Sequence, residues 1–376
     1  MSAPARPRGP LPPLPLTVLT GFLGAGKTTL LNRLLKDPAL ADTAVLINEF
    51  GEVGIDHLLV ERVEGNVVQL STGCLCCTVR GDLVDSLEKL LRDRDNGRVA
   101  FSRVMIETTG LADPAPVLHT IMLHPYLVLR FRLDGIVTVV DAVNGLATLD
   151  AQPEAVKQIA VADRIVLAKS DLLDTPARRA AAETLVARVR GLNPAAPILD
   201  AAAGEAVAGR LLGCGLYDPA RKTPDVRRWL AAEALNDAEA AHAHRHDPNR
   251  HDARIRAFTL TAEQAIPAGA FDMFLELLRA THGPNLLRVK GIVRLAETPE
   301  RPVVIHGVQH VFHPTAQLDA WPDDDRRTRM VFIVRDIAPR EIRGLFDAFL
   351  GSAAVDQPDR AAIVNNPLVP FGGVDR

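Results

Sequence analysis

Leu16–Leu35 reads LTVLTGFLGAGKTTLLNRLL: a short apolar strand pattern, a glycine-rich turn over Gly21–Thr29, and then a helical run that begins at Lys27. This is the phosphate-binding loop in the context it requires, a strand entering the loop and a helix leaving it. Four fixed positions, Gly21, Gly26, Lys27 and Thr28, coincide by chance in a chain of this length with a probability on the order of 1% at average residue frequencies. Gly21, Gly24 and Gly26 free the backbone so that its N–H groups wrap phosphates. Lys27 reaches the outer phosphates, and the Thr28 hydroxyl is placed to ligate Mg²⁺ at the helix N-terminus. Gly21, Gly24, Ala25, Gly26, Lys27, Thr28 and Thr29 are thus the expected triphosphate-binding set.

Outward from this loop, from about Leu16 to Asp200, β-branched runs alternate with amphipathic ones: AVLIN, NVVQL, DLVDSLEKLL, RVMIETT, GIVTVVDA, DRIVLAKSD and a long Ala/Arg-rich stretch. That alternation predicts a mostly parallel sheet with helices on both faces. Past residue 205 the strand signals stop, and Gly, Asp, Pro and His accumulate up to AHAHRHDPNRHD. Strand and helix patterns return in ARIRAFTL, AFDMFLELLRA, LLRVKGIVRL, PVVIHGVQHVFH and RMVFIVRD, with a last helix near Glu341–Leu350. They predict a smaller α+β domain with a largely antiparallel sheet. The expected organisation is a proline-rich arm over 1–15, a nucleotide-binding domain over 16–204, a histidine-containing linker over 205–252, an α+β domain over 253–350 and a tail over 351–376.

Composition agrees with two ordinary globular domains. The 376 residues are 47% hydrophobic and 24% charged, and 43 Lys plus Arg nearly balance 46 Asp plus Glu. Bulk charge therefore offers no hold on nucleic acid. No apolar run approaches the roughly 18 residues of a membrane span, and the first 16 residues, with six prolines, do not follow a secretory-signal pattern. Three of the four cysteines crowd into Cys74–Cys77, a spacing unsuited to a disulfide framework. Reduced thiols in a cytoplasmic protein are expected.

Metal and base chemistry concentrate in four segments. RVMIETTG ends a strand on Glu107 and GIVTVVDA ends one on Asp141, so two acids compete for the metal-positioning role that accompanies the loop. DRIVLAKSD spaces Lys169 and Asp171 as in a guanine-reading loop, where the carboxylate pairs with the base N1 and N2. GCLCC (Cys74, Cys76, Cys77) sits just before a helical pattern, whose N-terminal field favours thiolates and hence soft or borderline metals. A four-coordinate zinc needs one more ligand. Glu49 in INEFGEVGID is the first choice, with Glu52 or water behind it.

Taken together, GFLGAGKTTLLN, INEFGEVGID, GCLCC, ETTG, AKSD, LLRVKG and HGVQH resemble the CobW group of P-loop GTPases over roughly Thr17–Leu350. The resemblance implies a P-loop GTPase (SIMIBI-like) domain followed by a small α+β module. It further implies a GTP- and Mg²⁺-dependent metallochaperone that handles zinc, cobalt or iron, with relatives able to dimerise, so that a client metalloprotein and a homodimer on GTP binding are the expected partners. Catalysis would then rest on Lys27, Thr28 and Glu107, with Glu107 on Mg²⁺ directly or through water. One departure stands out: the base loop opens on Ala168 where the family usually has Asn, so the purine loses a carboxamide contact and selectivity falls to Asp171. INEFGEVGID lies where GTPases sense the γ-phosphate, which suggests that GTP assembles the Cys/Glu site and hydrolysis releases the metal.

Two other functions stay in view, a phosphotransferase acting on a small molecule and a nucleotide-gated metal buffer with negligible turnover. The remaining histidines read two ways. His242, His244, His246 and His251 suit loose chelation or a solvated linker, and the spacing of His306 and His310 puts them on one strand face unless a turn intervenes. LLRVKG places Arg288 and Lys290 on one strand face, directed at the first domain or a partner.

Overall fold

The structure, a computed structural model, describes residues 12–47, 79–214, 254–312 and 315–350. Cys74, Cys76, Cys77, Glu49, Glu52, the four linker histidines and His313 lie outside them. No helix among the described residues is long and apolar enough to cross a membrane.

Strand β1 (Leu14–Gly21) delivers the chain into the loop, and helix α1 (Lys27–Leu35) carries it away. Leu30, Leu31, Leu34 and Leu35 of α1 recur on one helical face and are buried against Val45, Met105, Val137 and Val166 of the sheet. Each such burial contributes about 1.5–3 kcal/mol, which fixes the helix start relative to the strand. There follow β2 (Thr43–Ile47), α2 (Val79–Asp95), β3 (Arg103–Glu107), α3 (Ala115–Leu123), α4 (Leu127–Arg130) and β4 (Phe131–Asp141). The domain is completed by α5 (Gly145–Ala151), α6 (Pro153–Ala160), β5 (Arg164–Ala168), α7 (Pro176–Leu192), β6 (Ile198–Asp200) and α8 (Ala208–Leu211). All pairings are parallel, in the order β2-β3-β1-β4-β5-β6. The near-continuous apolar strands expected of a sheet covered on both faces are present, as in β5, where every residue is buried. Residues 205–214 also pack here: Leu211 is fully buried, and Arg33 donates to the carbonyls of Ala201 (2.8 Å) and Ala206 (3.0 Å).

The second sheet is antiparallel, with strands β7 (Ile255–Ala262), β8 (Leu286–Val293), β9 (Val303–Val308), β10 (Val311–Phe312) and β12 (Thr328–Arg335) in the order β10-β9-β8-β12-β7. The two-residue β11 (Ala316–Gln317) pairs with β9. Helices α9 (Ala268–His282) and α10 (Pro339–Phe349) cover one face through Phe271, Phe274, Leu278, Ile342 and Phe346. A turn intervenes between His306 and His310. β9 ends at Val308, and Gln309 takes a left-handed φ of 53°. His310 therefore sits in the hairpin turn, apart from the strand face of His306, and its ring lies 4.0 Å from that of His119 on α3.

The other face of the second sheet meets the first domain. Against β12, Leu286 pairs with Val334 and Arg288 with Ile333, so Leu287 is an extra residue in β8, a bulge that reorients the strand. Leu287, Val308 and Ile333 join the apolar core of the first domain beside Leu16, Phe131 and Ile136. At the centre Asp163, fully buried, accepts from Arg288 and pairs with Lys290 at 2.6 Å, while Arg288 also donates to the Val161 carbonyl. Asp163 Oδ2 accepts in addition from the Ile136 amide at 3.0 Å. The expectation that Arg288 and Lys290 share a face is met, and that face is turned to the first domain.

Burial alone would raise the Asp163 carboxyl, but Arg288, Lys290 and His306 around it hold it well below the usual carboxylate range. One carboxylate cannot serve two cations fully. Burial pushes Lys290 down, Asp163 opposes this, and Arg288 and Arg164 add to the lowering. A carboxylate depressed on folding lends stability that is complete above the unfolded value near pH 4 and is lost as pH falls through the lower folded value. Asp163→Asn should cost about 3–5 kcal/mol at neutral pH by leaving cations buried without their counter-charge. It should also flatten the loss of stability below about pH 4, as read by urea unfolding across pH. An unfolding free energy equal to wild type would refute this account.

Candidate functional site

The site lies at the carboxyl ends of β1, β3, β4 and β5, where open parallel sheets bind ligands. Gly26 caps α1 with a left-handed φ of 100° and no side-chain cap, which leaves the first turn's N–H groups facing outward. Lys27 folds back over its own loop, and its ammonium donates to the carbonyls of Gly21 (3.0 Å) and Phe22 (3.3 Å). That ring around the loop shapes a cradle for an anion.

The two competing acids lie on opposite sides of β1. β3 neighbours β1 in register, with Leu19 beside Glu107. The Thr28 hydroxyl donates to Glu107 Oε1 at 3.0 Å, so the loop's hydroxyl and the strand-end carboxylate already meet. Asp141 ends β4 and does something else. It accepts from Lys169 at 2.7 Å, from the Asn144 side chain at 3.0 Å and from the amides of Val143 and Asn144. Burial would raise Asp141, and these four bonds outweigh it and lower its pKa. A hard cation beside phosphates prefers a hydroxyl and a carboxylate, and Thr28 with Glu107 fits that donor set. Asp141, with its oxygens committed, does not.

Lys169 adopts a left-handed φ of 63° to open a short 3₁₀ turn over Ser170–Leu172, with Asp171 exposed in it. Ala168 is buried directly behind the loop, 3.7 Å from where a Gly26 Cβ would stand. The chain thus brings Gly21–Thr29, Glu107 and the 168–171 turn to one end of the sheet. The Cys and Glu49 cluster lies outside the described residues, and among the described residues no group of three or more His, Cys, Asp or Glu is arranged for a metal.

Sequence reading found the ETTG segment after Glu107 but missed what holds it. Thr108 donates to the Thr20 hydroxyl at 2.8 Å, and Gly110 packs so closely on Leu23 that a Cβ there would stand 2.5 Å from the Leu23 amide nitrogen. From the far side, Gln158 of α6 donates to the Gly110 and Ala112 carbonyls at 3.1 and 3.0 Å. The available signal was a lone amide on an otherwise apolar helical face of Ala155, Val156, Ile159 and Ala160, all buried. A cavity of about 150 Å³ bordered by Phe22, Leu23, Asp141, Gln158 and Lys169 lies against the phosphate loop.

The same two-part architecture is found in known proteins. Residues 15–200 match the CobW/HypB/UreG nucleotide-binding domain, and residues 255–350 match the cobalamin synthesis protein cobW C-terminal domain. The zinc chaperone YjiA of Escherichia coli (strain K12) is 32% identical over 337 residues, covering 89% of this chain and 98% of that protein. The zinc chaperone CobW of Pseudomonas aeruginosa is 31% identical over 370 residues, 88% of this chain and 90% of its own. A zinc-regulated GTPase metalloprotein activator 1 from Schizosaccharomyces pombe is 42% identical over 183 residues, but they cover only 47% of this chain and 44% of that protein. The crystal structure of Zn(II)-bound YjiA GTPase from E. coli superposes with a TM-score of 0.64 at 27% identity, across 90% of this chain and 99% of that one.

The Asp141–Lys169 pair yields a direct expectation. If Asp141 serves to hold Lys169 beneath a bound base, Asp141→Asn should weaken binding of a fluorescent guanine nucleotide by about tenfold, the scale of a lost charge-assisted contact. Lys169→Met on top of it should cost little more. Fully additive losses in the titration would mean the two residues act separately.

Proposed function

Because this chain belongs to the CobW family of P-loop GTPases, we propose that it is a GTP-hydrolysing metallochaperone. It binds a transition metal, zinc foremost, and couples nucleotide state to transfer of that metal to a client metalloprotein. The observation that carries this reading is the similarity to the zinc chaperone YjiA across both domains, 98% of that protein's length. The nucleotide site described above supports it.

In this reading the amides of Gly24–Thr29 cradle the phosphates, and Lys27 exchanges the carbonyls of Gly21 and Phe22 for phosphate oxygens. Thr28 and Glu107 would hold Mg²⁺, which supplies charge neutralisation on the phosphates when bound. Asp171 reads the guanine edge, and Lys169, anchored on Asp141, lies beneath the base. With Ala168 in place of a carboxamide, discrimination against adenine depends on Asp171 alone. Cys74, Cys76 and Cys77, completed by Glu49, take zinc as cargo, with cobalt or iron as weaker fits to thiolate ligands. Glu49 belongs to the segment that leaves β2, so γ-phosphate contacts and metal ligation would share one moving stretch, and metal and nucleotide must then bias each other's affinity equally.

The decisive experiment is zinc competition against a chromogenic chelator, with Mg²⁺-GDP and with a non-hydrolysable GTP analogue, on wild type and on the Cys74/Cys76/Cys77→Ala protein. Wild type should bind zinc at least about fivefold differently in the two nucleotide states, the lower range of ordinary coupling. The triple variant should lose the tight site while keeping nucleotide affinity, and Lys27→Ala should do the reverse. Zinc binding indifferent to nucleotide would end the coupled-carrier reading.

A further inference from the structure

The chain just past helix α6 is held by the second domain, and the last turn of α6 holds the loop after Glu107. At its C-terminal end the Val161 carbonyl and the Asp163 carboxylate receive Arg288, and Lys290 joins on Asp163 at 2.6 Å, so the second domain grips the segment between α6 and β5. One turn earlier Gln158, 1% exposed, sends its amide to the Gly110 and Ala112 carbonyls. Its backbone carbonyl accepts from the Thr138 hydroxyl at 2.7 Å, which ties the same turn to β4. Gln158 Oε1 has no hydrogen-bond partner among the described residues, and the side chain borders the cavity against the phosphate loop. A buried amide that leaves its acceptor unsatisfied gives up free energy, and its two donor bonds fix the loop following Glu107.

That loop is tied to β1 through Thr108, whose hydroxyl donates to Thr20 and whose amide donates to the Leu19 carbonyl, and to α6 through Gln158. Between them stand Thr109, whose buried hydroxyl has no partner among the described residues, and Gly110 against Leu23 of the phosphate loop. Without the two Gln158 bonds, the α6 side would keep only the half-buried ion pair of Lys157 with Asp113, 3.7 Å apart.

We infer that Gln158 is a positioning residue for phosphoryl transfer, and that α6 carries the docking of the second domain to the loop beside the phosphates. The inference rests on the proposed GTP hydrolysis. Asp163 lies three residues past the end of α6, whose last turn carries Gln158, so a shift at Asp163 is passed to Gln158 over five residues of chain. Displacements near 1 Å at a reacting centre cost up to about a hundredfold in rate.

The test uses the full chain with Gln158→Met, which keeps shape and loses both donors, and Lys290→Met, which loosens the grip on Asp163 while Arg288 stays. For Gln158→Met, kcat for GTP should fall about tenfold or more with KM and GDP affinity within about threefold, a split that general destabilisation does not produce. Hydrogen exchange in the 108–112 peptide should speed up in both variants. Lys290→Met should lower kcat several-fold by itself and add nothing on the Gln158→Met background. A wild-type kcat in Gln158→Met overturns the positioning role, and additive effects overturn the link to the second domain. If wild type binds GTP without hydrolysing it, the proposed function fails first. The exchange measurement then decides the inference, and unchanged protection of 108–112 in Gln158→Met overturns it.

Discussion

A single buried carboxylate, Asp163, sets the relation between the two sheets. It sits just before β5 and collects Arg288 and Lys290 from β8 on one side and the Ile136 amide from β4 on the other. Ion pairs of this kind are poor sources of net stability, because desolvating the charges offsets their attraction. Their value is geometric. An apolar interface such as Leu287, Val308 and Ile333 against Phe131 and Ile136 tolerates sliding, whereas a carboxylate with fixed donors accepts one arrangement. The bulge at Leu287 turns β8 so that both cations reach the same acceptor, and the second domain is thereby docked in one register on the turn that follows α6.

The nucleotide site inherits its division of labour from strand order. β1 has β3 on one side and β4 on the other, so the loop it feeds is flanked by two strand-end acids in different surroundings. Glu107 meets the hydroxyl of Thr28, a donor that shares its affinity for hard cations. Asp141 meets an ammonium and backbone amides, which commit its oxygens to holding the turn that follows β5. Two carboxylates that look alike in sequence are separated by what the neighbouring elements offer them.

Much of this was legible in the chain. GFLGAGKTT between a strand and a helix determines a phosphate loop, because only glycine backbones and a helix start expose enough N–H groups. The alternation of β-branched and amphipathic runs determines a parallel sheet, since parallel strands need crossover helices. The period of LLRVKG put Arg288 and Lys290 together. What the chain alone left undecided depends on partners distant in sequence. The different surroundings of Glu107 and Asp141 come from Thr28 and Lys169, respectively 79 and 28 residues away. The hairpin at Gln309 separated His306 from His310, because one left-handed residue undoes strand periodicity. The role of Gln158 emerged only when α6 was laid against a loop 46 to 48 residues earlier. Local pattern fixes which elements form, through backbone sterics and burial of one face. Which side chains of those elements share an environment is decided by packing, because hydrogen bonds and charges act over a few ångströms of space whatever the separation along the chain.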